Sequence, residues 1–206
     1  MPAISSEKGP VEVLPAAPAH WPDIEEFFAR TPCWCQYWRV SSGEYKRLSK
    51  DEPFETWSAR RKAALRSQLN KPVPPGMLAY ADSRLVVGWC GFGRRPEMER
   101  LVRSRSIPAI DDRPVWSIVC FLVRVGFRRR GVARTLLDGL IEYARELGAP
   151  ALEAYPVDPG GKPIDVALAY VGTTSMFEKA GFRRILETSA RSAGLTRWLR
   201  RLELQS

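Results

Sequence analysis

Nowhere in the 206 residues does an apolar run approach the roughly 20 residues that a membrane-spanning helix needs. The longest, Val115 to Val123, is interrupted by Ser117 and closed by Arg124. The opening segment Met-Pro-Ala-Ile-Ser-Ser-Glu-Lys lacks the apolar stretch of a secretion signal. The expectation is a cytoplasmic protein with no membrane partner. Cysteine offers no framework either: four residues, at 33, 35, 90 and 120, do not make the disulfide pattern of a small secreted chain. Cys33-x-Cys35 also lacks the paired Cys-x-x-Cys spacing typical of a four-ligand zinc site, so no metal is expected. Cys120, in an apolar strand, reads more readily as packing than as a nucleophile.

What the chain does have is length enough for one domain with a sizeable core, 1–206, and an ordinary 45% hydrophobic content. Its formal charge is +9. Basic surfaces attract nucleic acid, but here the arginines are scattered from Arg30 to Arg201. A small polyanionic ligand explains a local cluster equally well, and nucleic acid is not the favoured partner.

Val11–Leu14 reads as a first strand, stopped by Pro15 and Pro18. A helix is predicted from Trp21 to Arg30, with Pro22 in its first turn, and Thr31-Pro32 ends it. A second helix is predicted from Pro53 to Asn70, capped by Asp51. Gly76–Ala81 and Leu85–Phe92 form a predicted hairpin about Asp82-Ser83-Arg84. A short helix is predicted over Glu97–Arg105. Val115–Val125 is apolar enough for a central strand buried on both faces. Val132, Leu136, Leu137, Leu140, Ile141, Ala144 and Leu147 form one stripe of a helix from Gly131, stopped at Gly148. A strand at Ala151–Tyr155, a short helix at Thr174–Ala180 and a strand pair at Phe182–Ser189 and Leu195–Leu204 complete a single mixed α/β domain.

The central strand runs straight into Gly126-Phe127-Arg128-Arg129-Arg130-Gly131-Val132-Ala133 and then into the strongest helix. A helix start offers N–H groups without intrahelical partners and the positive end of the helix dipole. Gly131 and Ala133 let phosphate oxygens approach the backbone, and the arginines add charge. Strand, basic turn and helix together suit a diphosphate.

Val123-x-x-x-Phe127-Arg128-x-Arg130-Gly131-Val132-Ala133 resembles the coenzyme A motif of the GNAT superfamily of N-acetyltransferases, Arg/Gln-x-x-Gly-x-Gly/Ala. Met176-Phe177-Glu178-Lys179-Ala180-Gly181-Phe182 resembles the family's later Leu-Tyr-Glu-Lys-Leu-Gly-Phe segment. The resemblance covers the second half of the chain. The stretches Cys-Trp-Cys-x-Tyr-Trp-Arg, Gly-Trp-Cys and Tyr-Pro-Val-Asp are similar to those of a subgroup within it. It implies a mixed β-sheet splayed at the central strand and flanked by helices. It implies acetyl-CoA as co-substrate and an amine, of a small molecule or a protein, as acceptor. Backbone groups of Leu122 and Val123 would meet the pantetheine and thioester, and the N–H groups from Arg129 to Arg134 the pyrophosphate. A homodimer is left open.

Acetyl transfer to an amine needs a base, a donor for the tetrahedral oxyanion and a proton for the departing thiolate. Many relatives use a tyrosine as the acid where this chain has Phe177. Tyr170 and Ser175 are the nearby candidates. Ser117 on the central strand is a candidate for holding a water; Glu153 and the Asp111-Asp112 turn are the carboxylates closest in sequence. Trp34, Tyr37 and Trp38 read in two ways: as an acceptor wall suited to a cation, or as a hydrophobic staple between the first two helices. Phe177 also leaves open a second class of function, a non-catalytic coenzyme A sensor or interaction module.

Overall fold

Residues 11–31, 33–41, 43, 53–81, 84–161, 169–192 and 194–204 are described by a computed structural model. Among them, seven strands join in one sheet: β1 (Glu12–Pro15), β2 (Gly76–Ala81), β3 (Leu85–Arg94), β4 (Trp116–Val123), β5 (Ala151–Ala154), β6 (Arg183–Ser192) and β7 (Leu195–Glu203). Their order is β1-β2-β3-β4-β5-β7-β6, and only β4 and β5 run parallel. The helices are α1 (Trp21–Phe28), α2 (Phe54–Gln68), α3 (Glu99–Val102), α4 (Val132–Glu146) and α5 (Thr174–Glu178). The expected mixed sheet flanked by helices is what the chain forms.

Two apolar layers sandwich the sheet. On one face α4 sets Val132, Leu136, Leu137, Leu140 and Ile141 against Phe92, Trp116, Ile118 and Phe121. Burying each such aliphatic chain contributes about 1.5–3 kcal/mol. On the other face Ile24 and Phe28 of α1 and Leu65 of α2 meet Trp89 of β3. A third cluster, with Trp38, Met98, Val119 and Tyr155, continues that second face.

Several predicted boundaries move. Leu147 is half exposed, because α4 stops at Glu146 and Gly148 turns the chain at φ 68°, so that Ala149 takes the buried place. The helix predicted over Glu97–Arg105 contracts to α3, after which the Ser104 hydroxyl accepts the Ile107 N–H (3.1 Å) and ends the helical ladder. Asp51, expected to cap α2, lies outside the described residues, as do Asp82 and Ser83 of the hairpin turn.

The feature that positions the site is where β4 leaves β5. The two strands share three positions, Trp116↔Leu152, Ser117↔Glu153 and Ile118↔Ala154. Directly after Ile118, the ladder to β3 slips: Gly91 pairs with Cys120 and Phe92 with Ile118, leaving Val119 as a bulge. Val119 and Cys120 consequently pack on the same face, while Phe121 returns to the α4 face. A bulge bends and twists its strand, and here it carries β4 away from β5. Gly91 opposite the bulge has no room for a side chain, since a Cβ there would lie 2.3 Å from Cys35 Sγ.

On the closed side of the split, a buried polar network fixes the strands. Glu153 Oε1 accepts from Arg201 Nη2 (2.7 Å), and Arg95 lies 3.5 Å from its other oxygen. Tyr155 donates to Glu153 (2.9 Å) and accepts from Arg95 (2.6 Å), and Ser117 Oγ sits 2.8 Å from the same phenol. Removing one charge from such a set leaves its partners buried and uncompensated. Glu153→Gln is therefore expected to lower the unfolding free energy by about 3 kcal/mol, read from urea denaturation midpoints; a loss indistinguishable from zero would mean the network is not holding the split.

Candidate coenzyme A and acyl-transfer site

Beyond the bulge, the outer half of β4 has no β5 beside it. Val157, past the end of β5, instead pairs with Thr173. Between Phe121–Val123 on one side and Tyr170, Gly172 and Thr173 on the other opens a cavity of about 1000 Å³. Its size is at the upper end of small-molecule pockets. It continues to Arg128, Arg129, Gly131, Val132, Ala133 and Arg134 at the start of α4, and Glu26, Phe27, Arg30 and Thr31 at the end of α1 close its far wall.

The turn into α4 is shaped for an anion. Arg129 (φ 59°) and Gly131 (φ 83°) both hold left-handed conformations, a backbone habit that gathers N–H groups into an anion-binding nest. The first helical bonds run from Arg134 (2.8 Å) and Thr135 (3.0 Å) to Gly131 O. The N–H groups of Val132 and Ala133 therefore precede the intrahelical ladder, at the end of α4 that carries roughly half a positive charge. The arginines divide in role. Arg128 Nε donates to Val123 O (3.1 Å), and Arg134 is committed to Asp138 (2.8 Å), so the backbone supplies the inner donors. Arg130 packs toward the Phe127 ring and does not line the cavity.

Strand alternation assigns the edges of β4. Arg124 N–H donates to Val87 O (2.9 Å), so Leu122, two residues earlier, points its N–H toward β3. Val123 and Phe121 point theirs to the open edge. Of the two positions expected to meet the pantetheine, both line the cavity, and Val123 has its backbone free of the β3 ladder.

The three candidate catalytic side chains lie apart. Tyr170 borders the cavity, and burial raises its phenol above the ordinary tyrosine range, with the Arg197 charge opposing. Ser175 is exposed on α5, its hydroxyl 3.2 Å from Thr173 Oγ1. Ser117 is fully buried beside β5 and outside the cavity; Tyr155 gives its proton to Glu153, which leaves Ser117 to donate to Tyr155. Glu153 and Asp111 are engaged with Arg201. Phe177 is fully buried against Phe121 and Phe182, with centroids 6.1 and 5.0 Å away.

The aromatic segment splits between its two readings. Trp34 stacks on Phe28 (5.6 Å) and Trp21 (6.2 Å) of α1 and donates to Ser58 of α2 (3.1 Å), as a staple between helices does. Trp38 is buried on the face opposite α4, edge-on to Tyr37. None of the three lines the cavity. Cys35 shares a hydrogen bond with Cys120 that lowers its thiol to about 7, aided by the Arg39 charge. Sequence reading missed the α1 end, Glu26 to Thr31, because a wall built from distant segments leaves no local motif.

The model of the acetyltransferase (GNAT) family matches residues 43–182, well over half of the chain. The chain belongs to this family. Acetyl-CoA-dependent acyl transfer is the family's general activity. No curated protein sequence matches the chain. Solved structures repeat its fold at low identity. An N-acetyltransferase from Staphylococcus aureus Mu50 shares 15% identity with a TM-score of 0.51, covering 96% of this chain and 100% of that one. A structure from Corynebacterium glutamicum, described as histone acetyltransferase HPA2 and related acetyltransferase, shares 19% at a TM-score of 0.54, over 93% and 94%. The yncA protein of Salmonella typhimurium, solved with its cofactor acetyl-CoA, shares 16% at 0.52, over 96% and 95%. Among the described residues no helix is long and apolar enough to cross a membrane.

Gly131→Glu tests the nest. The left-handed backbone disfavours any side chain there by about 1–2 kcal/mol, and a carboxylate would face the phosphates. Calorimetric titration should show acetyl-CoA affinity falling about a hundredfold or more, as loss of charge-assisted hydrogen bonds implies. Arg130→Ala should bind nearly as the parent does.

Proposed function

We propose that this chain transfers an acetyl group from acetyl-CoA to the amine of a small molecule or protein. The observation that carries the reading is the continuity of one cavity from the nest at Arg129–Arg134, along the free edge of β4, to Tyr170. When bound there, acetyl-CoA supplies an activated thioester. The N–H groups of Val132 and Ala133, with those of the turn, hold its diphosphate. Val123 offers the open-edge backbone N–H for the carbonyl oxygen as it gains charge, a fixed donor that needs no reorganisation. As the amine nitrogen bonds to the carbonyl carbon and the C–S bond breaks, Tyr170 supplies the proton that the departing thiolate takes up. The proton released by the amine passes to solvent, from which Tyr170 is reprotonated. Its raised pKa keeps it protonated at the working pH while making it a weaker acid than an ordinary tyrosine. Phe177 cannot substitute: it has no proton to give and its ring is in the core.

A second reading, a coenzyme A-binding module without turnover, is favoured by that same buried Phe177. Two measurements separate them. Acetyl-CoA binding together with amine-dependent thiol release supports transfer, whereas binding with no release from any amine in a broad panel supports the module.

Tyr170→Phe should lower kcat for thiol release by about a hundredfold and leave the acetyl-CoA dissociation constant little changed. The acid is protonated below its folded pKa, so activity that depends on it is lost only as pH rises through that value, which lies above the ordinary tyrosine pKa of about 10. No activity loss assignable to Tyr170 should therefore occur between about pH 6 and 9. A kcat unaffected by Tyr170→Phe would assign the proton to another donor.

A further inference from the structure

Arg197 of β7 is 3% exposed, and the face it joins is lined by Trp38, 5.0 Å from its guanidinium to ring centroid, and Tyr155 at 5.9 Å. Its Nε donates to Tyr155 O (2.8 Å), but its Nη2 is buried with no hydrogen-bond partner among the described residues. Three other buried arginines meet carboxylates: Arg95 and Arg201 share Glu153, and Arg200 meets Glu178. Among the described residues, the phenols of Tyr170, Tyr155 and Tyr37 lie near the Arg197 charge, which burial disfavours.

Its place relative to the cavity is set by the backbone. Val157 pairs on one side with Thr173, which lines the cavity, and on the other with Arg197. Tyr170 borders the cavity, and the Arg197 charge opposes the rise that burial gives its phenol. Arg197 belongs to the face that carries Trp38 and Tyr155, away from the α4 layer. The nest that suits the coenzyme's phosphates is at the start of α4, so those phosphates do not serve Arg197.

A guanidinium keeps its proton even when buried, and a buried charge without a counter-ion is unfavourable until one arrives. An edge of guanidinium flanked by neutral phenols matches the two coplanar oxygens of a carboxylate. We propose that the acceptor is an amine that also carries a carboxylate, held by Arg197 with Tyr37 and Tyr170 beside it. The proposal deepens the transfer reading above and rests on it.

The test uses matched pairs: the common L-amino acids and the ω-amino acids from β-alanine to 6-aminohexanoate, each against its carboxamide. Thiol release is measured with acetyl-CoA, and binding by calorimetry to the coenzyme A-loaded protein. At least one acid should exceed its amide by about ten- to hundredfold in kcat/KM and in affinity, the worth of a charged hydrogen-bonded contact. Arg197→Gln should bring that pair to near equality while the acetyl-CoA dissociation constant holds. Should that variant fail to fold, propionate added to the parent protein should compete with the amine and not with acetyl-CoA. Acids and amides used alike by the parent, a preference that survives Arg197→Gln, or no competition by propionate would each overturn the assignment of Arg197. Transfer itself would stand in all three cases. Absence of both acetyl-CoA binding and thiol release would overturn the transfer reading and this inference together.

Discussion

Everything at this site depends on β4 and β5 parting after three shared positions. A parallel pair that continued would have satisfied the backbone of Val119 to Val123 within the sheet and left no cleft. The bulge at Val119, opposite a Gly91 that cannot carry a side chain, turns β4 out of the ladder. The unpaired edge that results is costly for a sheet unless a ligand or another segment meets it. Here the segment around Thr173 meets β5's continuation, and the cavity lies between it and β4.

The split needs a rigid hinge line, and the buried set of Glu153, Arg95, Arg201, Tyr155 and Ser117 provides it. Each member is satisfied by another, which is why such a set can sit in an apolar core. Arg197 pairs with Val157, two residues past Tyr155, and has the same tyrosine for a neighbour but no carboxylate partner among the described residues.

Much of this was legible in the sequence. The apolar stripe of α4 and the unbroken hydrophobicity of β4 are strong periodic signals, and a strand, a basic turn with Gly131 and a helix start carry their chemistry locally. Tyr170 was reachable because it lies near the Met176–Phe182 segment in sequence. What was hidden depends on register. Ser117 looked available until its pairing with Glu153 and contact with Tyr155 placed it on the closed side. Trp34 could be assigned to a staple only once α1 and α2 were packed about it. The wall from Glu26 to Thr31 meets β4 across about 100 residues of chain, and Arg197 is one arginine among many until its lack of a counter-ion among the described residues is seen.

The central claim, that coenzyme A occupies the gap between the parted strands with its phosphates on the α4 nest, is tested most directly by amide hydrogen exchange with and without the coenzyme. The account predicts slowed exchange at Val123, Arg129, Gly131, Val132 and Ala133, with Leu122 little altered because β3 already holds its N–H. Protection confined to other surfaces, with these amides unchanged at saturating coenzyme, would contradict it.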